Sequence, residues 1–186
     1  MEEFNPQHES VIEFPEIANE IMEMVKVDQD MRKKARLSNF EYWDKSVDAN
    51  NTDQMKEILK QIGWPTISKV GEDASNGAWL LVQHADRDVA FQKYCLDLLK
   101  QEPEHEVHPQ DIAHLTDRVC VNSHIPQIYG TQYTKDEHGN FVPREIENLE
   151  EVDERRKAMG LDTLKENIER MHEKYKVEKK EDTQEM

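Results

Sequence analysis

Cysteine is scarce in this chain, with only Cys95 and Cys120 among 186 residues. They do not stand in Cys-x-x-Cys spacing, so neither a disulfide framework nor a thiolate zinc site is indicated. No stretch approaches the ~18 apolar residues that a membrane-spanning helix needs. The start, Met1-Glu2-Glu3-Phe4-Asn5-Pro6, lacks a basic region followed by an apolar run. No signal peptide is therefore expected, and the cytoplasm is the expected location. Glycine is also sparse, at six residues. There is no Gly-rich phosphate loop, no Gly-x-Ser-x-Gly elbow and no dinucleotide fingerprint. Positive charge is outweighed too, with 24 Lys and Arg against 40 Asp and Glu, for a net charge of −16. That field repels nucleic acid and anionic membranes, so neither is expected as a partner. The best basic cluster, Arg32-Lys33-Lys34-Ala35-Arg36, lies at a predicted helix end, where cations complement the helix dipole.

What is present points to a mainly α fold. Hydrophobic residues make up 36% of the chain, and they concentrate between Ile17 and Val121. We expect a compact multi-helix domain over 15–176, with one small β-hairpin near residues 127–143. Residues 1–14 read as an N-terminal extension, and 177–186 as a disordered charged tail. Pro15 opens a first helix reaching Leu37, with Ile17, Ile21, Met24, Val25, Met31 and Ala35 on its apolar stripe. The turn-rich run Asp48 to Asp53 precedes a second helix near 52–62, which Gly63 closes. A third helix is predicted from Ala74 to Lys100, and a fourth from Pro109 to Asn122. A hairpin, a helix capped by Asn148 and a last helix capped by Asp162 or Thr163 and ending at Tyr175 complete the reading.

Polar residues inside the apolar arcs are the chemical candidates. Asp28 and Arg32, four residues apart, fall within the first stripe and can pair on one helix face. They read either as a brace between helices or as the charged wall of a pocket. On the third helix His84, Asp88 and Gln92 are spaced i, i+4 and i+8 between two apolar stripes. Asp88 would orient the His84 imidazole and raise its basicity, as a general base requires. The alternative is a satisfied core histidine. His114, Asp117 and Arg118 lie opposite the core stripe of the fourth helix, as a solvated face or a site edge. A guanidinium there suits a carboxylate or phosphate. No cofactor is required by any motif. His105-Glu106-Val107-His108 lacks the four-residue spacing of paired zinc ligands, so no metal site is assigned.

Several segments together resemble a bacterial domain family of unknown function. They are Gly63-Trp64-Pro65-Thr66, Val70-Gly71, Trp79-Leu80-Leu81-Val82-Gln83-His84-Ala85-Asp86 and Phe91-Gln92. Leu115-Thr116-Asp117-Arg118-Val119 and Gln127-Ile128-Tyr129-Gly130-Thr131-Gln132 continue the likeness. The resemblance runs from about Asp28 to Leu161 and implies no activity. It does imply that His84, Asp86, Asp117, Arg118, Tyr129 and Gln132 belong to one site. Ser123-His124-Ile125 departs from the glycine-containing turn such a pattern carries before Pro126. Gly130 would let the backbone approach a ligand or another element closely.

The expectation is a small soluble enzyme, hydrolase-like or otherwise working by acid/base chemistry on a small polar or anionic substrate. His84, Asp88 and Asp117 are its candidate catalytic residues. Asp28, Arg32, Gln92, Arg118, Tyr129 and Gln132 are its candidate substrate contacts. The rival is a non-catalytic, immunity-type protein that binds a protein partner through its acidity and through exposed Trp64-Pro65 and Trp79.

Overall fold

Pro15 occupies the first turn of α1 (Pro15–Leu37), and Lys34 and Arg36 stand in its last turn against the negative end of the helix dipole. A computed structural model describes residues 12–184 of the chain, with side chains as far as Lys174. The rest of the expected N-terminal extension and the last two residues of the tail lie outside the described residues. Ala18, Ile21, Met24, Met31 and Ala35 are buried along α1, and Asp28 is buried among them.

Helix α2 (Lys45–Ile62) begins at Lys45 rather than near Thr52, because Asp44 caps it by accepting the Ser46 N–H at 2.9 Å. The turn-prone run at 48–53 lies inside the helix, where the Thr52 hydroxyl donates to the Asp48 carbonyl at 2.7 Å. Gly63, at φ 69°, ends α2 by returning its N–H to the Leu59 carbonyl. Trp64 is not an exposed binding residue. It is 1% exposed, in the core with Ile21, Met55, Ile58, Ala78, Leu81 and Leu115. A short helix α3 (Ile67–Val70) follows, shorter than any apolar periodicity reveals.

The long helix expected at 74–100 is two helices, α4 (Glu72–Gln83) and α5 (Val89–Leu99), joined by a turn at 84–88. Next come α6 (Pro109–Asn122) and the hairpin of β1 (Tyr133–Lys135) and β2 (Phe141–Pro143), with Tyr133 opposite Pro143. A 3₁₀ turn at Leu149–Glu151 leads into α7 (Val152–Ala158). Helix α8 (Leu164–Gln184) opens on a capping box, in which Thr163 N–H donates to Glu166 Oε2 and Glu166 N–H to Thr163 Oγ1. It runs past Tyr175, through residues expected to be a disordered tail; the Lys and Glu found there are strong helix formers. The fold is mainly helical with one small antiparallel hairpin.

Helix α4 crosses α1 at Gly77. A Cβ there would lie 2.9 Å from Val25 Cγ2 and 3.1 Å from Ile21 Cγ2. Both neighbours are β-branched, and Ile21 is fully buried, so neither can turn aside cheaply. Gly77→Ala should therefore destabilise the fold by about 1–3 kcal/mol, despite alanine's better helix propensity. A urea melt checks this, and a stabilised variant would show that the helices can part.

Trp79 is tied down rather than free, donating from Nε1 to the Asp111 carbonyl at 3.0 Å. Burial pushes the Asp111 carboxyl up from 3.8 to about 6, against a small opposing pull from His108. A raised acid pKa gives stability that is present below 3.8 and lost as pH rises through about 6. Asp111→Asn should thus stabilise the protein by about 1–2 kcal/mol at neutral pH and not at all near the unfolded value. Thermal melts at two pH values check the sign.

Candidate functional site

The break between α4 and α5 decides where the polar residues go. His84 ends α4, its N–H directed at the carbonyls of Leu80 and Leu81. Asp88 caps α5, accepting the Phe91 N–H at 2.9 Å, and meets Lys56 Nζ at 2.9 Å. The Lys56 bond, followed by the Phe91 amide, holds the Asp88 carboxyl below its ordinary range. A short polar side chain that captures a backbone amide competes with helix continuation, and here it wins. The expected pairing of His84 with Asp88 does not form.

His84 turns instead to α1. Its Nδ1 lies 3.0 Å from both carboxylate oxygens of the fully buried Asp28. Arg32 Nε donates to the same two oxygens at 3.1 Å, and Gln29 Nε2 to one at 2.7 Å. Burial alone would raise the Asp28 pKa, but the bonds from His84 and then Arg32 outweigh it and leave the group below its ordinary value. An ionised carboxylate only accepts, so His84 carries its proton on Nδ1. Its Nε2, which carries the lone pair when the ring is neutral, has no hydrogen-bond partner among the described residues and lies on a side chain 19% exposed. Arg32 continues to Asp48 through Nη2 at 2.6 Å, and its guanidinium lies 5.1 Å from the Trp43 ring. Burial lifts the Asp48 carboxyl above its usual range, with Arg32 opposing and the charges of Asp28 and Asp86 adding to the lift.

A second chain of contacts starts two residues after His84. Arg118 forks onto Asp86, Nε at 2.7 Å and Nη2 at 2.5 Å, and its Nη1 donates to Gln132 Oε1 at 3.0 Å. Burial raises the Asp86 pKa, but Arg118 first, then Asn122 and Gln92, together outweigh it and the carboxyl stays below its ordinary range. Asn122 Nδ2 bridges Asp86 Oδ1 and Gln92 Oε1, each at 2.9 Å. Gln92 is fully buried and donates to the carbonyls of Val82 and Gln83 in the last turn of α4. It braces the turn that carries His84.

Asp117 is not on a solvated face, because the segment 127–132 covers that side of α6. Its Oδ1 accepts from the N–H groups of Ile128 at 2.7 Å and Tyr129 at 2.9 Å, and its Oδ2 from Thr131 at 2.8 Å. It fastens a loop, and no contact joins it to His84. Gln127 closes the same loop, donating to the carbonyls of Gln132 and Arg144 and accepting the Gln132 N–H at 2.8 Å. Fully buried Arg156 donates to the Tyr129 carbonyl at 2.6 Å, and Arg155 to that of Ile128 at 2.9 Å. Tyr129 thus enters through its backbone; burial, then Asp117, raises its phenol pKa. At Gly130, φ 73°, a Cβ would meet Ile146 Cδ1 and Leu164 Cδ1 at 2.8 Å. Of the close approaches expected there, the one to another element is present.

The structure therefore gathers Asp28, Arg32 and His84 at one turn, with Asp86, Arg118 and Gln132 beside them. Asp48 is a member that sequence reasoning missed, since its run reads as a turn. Arg155 and Arg156 were missed as well, and no periodic signal marks them. Among the described residues no group of three or more His, Cys, Asp or Glu is placed to hold a metal ion. None of the described helices is long and apolar enough to cross a membrane.

A family model described as a family of unknown function, DUF6624, matches residues 15–180. The chain belongs to that family. The DUF6624 match takes in every element just described, from Asp28 on α1 to Arg156 on α7. No curated protein and no solved structure matches the chain.

Proposed function

We propose that this DUF6624 protein is a small acid/base enzyme, with His84 as the general base and Asp28 as the residue that orients it. The observation that carries the reading is the His84 imidazole, fixed at Nδ1 by a buried carboxylate and unpartnered at Nε2 among the described residues. A base held in one tautomer, with its other nitrogen open to a reactant, contributes roughly 10²–10⁴-fold to a proton-transfer step. Arg32 and Arg118 are each matched by carboxylates, so an anionic substrate group would have to displace a partner. Three carboxylates, Asp28, Asp48 and Asp86, face these two guanidiniums, leaving one net negative charge while His84 is neutral. That balance favours a small neutral or cationic polar substrate, with hydrolysis as the reaction class.

The test separates availability from turnover. Diethyl pyrocarbonate acylates an imidazole nitrogen that has a free lone pair, and mass spectrometry reads the site. His84 should be modified at a rate comparable with exposed His105 and His138, despite its partial burial. A His84 that resists the reagent after both of those are modified would sink the assignment. In a screen of small polar metabolites, His84→Ala should abolish any turnover seen with the wild type while the protein stays folded. Its melting temperature should be lowered, because buried Asp28 keeps Arg32 and Gln29 but loses one partner. One observation favours the rival, a binding protein: apart from Nε2, the polar side chains of this cluster bond to one another. Stoichiometric recovery of a basic protein that His84→Ala still binds would support that reading instead.

A further inference from the structure

Helix α8 packs chiefly on α7 and β2, and between its first turns and residues 149–153 it leaves a groove of about 430 Å³. Val152, Leu164 and Ile168 form the apolar floor. The Asp153 carboxylate accepts the Leu164 N–H at 2.7 Å, which ties α7 to α8 across the groove and fixes its shape. Leu149 stands at the edge with 57% of its surface exposed. The residue before it, Asn148, holds a left-handed backbone at φ 44°, and Arg155 Nη2 grips the Asn148 carbonyl at 3.1 Å. A conformation that few non-glycine residues adopt, fastened by a guanidinium, thus presents an apolar side chain to water.

Lys165 and Glu169 stand exposed on the rim, and neither forms an ion pair among the described residues. They lie four apart on one helix, in the order less suited to pairing with each other. One patch therefore holds a hole, a knob and a free charge of each sign. A partner of either charge would meet one matching and one opposing group. A second copy turned about a two-fold axis meets two matches, because Lys165 of each copy faces Glu169 of the other. The same rotation sets each knob against the other copy's hole.

We propose that this surface is the interface of a two-fold dimer, with α8 antiparallel to the α8 of a second copy. Leu149 of each chain enters the groove of the other, and the two Lys165–Glu169 pairs flank the apolar contact. The patch is small and each copy carries a net charge of −16, so the dimer is weak and forms at micromolar concentration or above.

Sedimentation equilibrium of the full chain, from about 1 μM to about 1 mM, provides the test. The mass should rise from monomer towards dimer across that range. Lys165→Glu and Glu169→Lys should each weaken association by about tenfold or more, since either change sets two like-charge pairs in the interface. An equimolar mixture of the two variants should recover the wild-type affinity as a heterodimer, because both pairs are then opposite in sign. Leu149→Ser should weaken association comparably. All three positions are exposed, so the melting temperature of dilute protein should stay near the wild-type value. A monomer throughout the range, charge changes that leave association untouched, or a mixture no tighter than its components would each overturn the assignment. The second of these results would move the dimer contact to another face.

Discussion

Asp117→Ala is expected to be among the most damaging single changes in the protein, destabilising it by about 3 kcal/mol or more. Three backbone N–H groups end on that carboxylate, at 2.7, 2.9 and 2.8 Å. Each buried donor left unpaired costs about 1–3 kcal/mol, less whatever entering water returns. The backbone bonds that the segment makes are at its two ends, Gln127 with Glu145 and Glu147 and Gln132 with Arg144, so the amides between them have no ladder to fall back on. Asp117→Asn keeps the volume but turns an NH₂ group toward a donor, so it should recover only part of the loss. Urea melts of both variants provide the measurement. An alanine variant within about 0.5 kcal/mol of the wild type would be the behaviour of an ordinary surface change and would contradict the account.

Asp28→Asn should have the largest effect on chemistry. One amide oxygen must then serve three donors, His84 Nδ1, Arg32 Nε and Gln29 Nε2, which the carboxylate satisfies together. The amide NH₂ faces one of them, and the orientation of the imidazole is lost. We expect turnover that depends on His84 to fall by about 10²-fold or more, the scale on which an orienting carboxylate supports a catalytic histidine. Arg32 keeps Asp48 as a partner, so the fold should survive. Long-range nitrogen–proton NMR gives a second readout, because the wild-type ring should carry its proton on Nδ1. Unchanged turnover together with an unchanged tautomer would remove Asp28 from the mechanism.

The helix ends set by a proline were legible in the sequence. Pro15 and Pro109 each stand where α1 and α6 begin, because the missing N–H and fixed φ suit a first turn. The hairpin was legible from its turn residues. The break at 84–88 was not, since apolar residues continue from Leu80 to Leu98 at helical spacing on both sides of it. Only Asp88, capping three residues ahead of Phe91, signals a new start, and an aspartate alone is a weak mark. Without the break His84 was assigned to the wrong carboxylate. Its true partner lies 56 residues away, a separation no local pattern encodes. Asp28 and Arg32 could be paired from one helix face because their contact is local. Asp117 was placed on an open face because the segment that covers α6 has no periodicity to announce that it docks.

That covering segment has a consequence for hydrogen exchange. Residues 127–132 are neither helix nor regular strand, and such backbone normally exchanges its amide protons within its own local openings. Here the Ile128, Tyr129 and Thr131 amides end on a buried carboxylate of α6, while the Ile128 and Tyr129 carbonyls are held by Arg155 and Arg156 of α7. Releasing those protons requires the loop to leave α6 against all three bonds while α7 holds its carbonyls, not a local flicker of one amide. These irregular amides should exchange as slowly as those in the middle of α6, and so report on the opening of the whole domain.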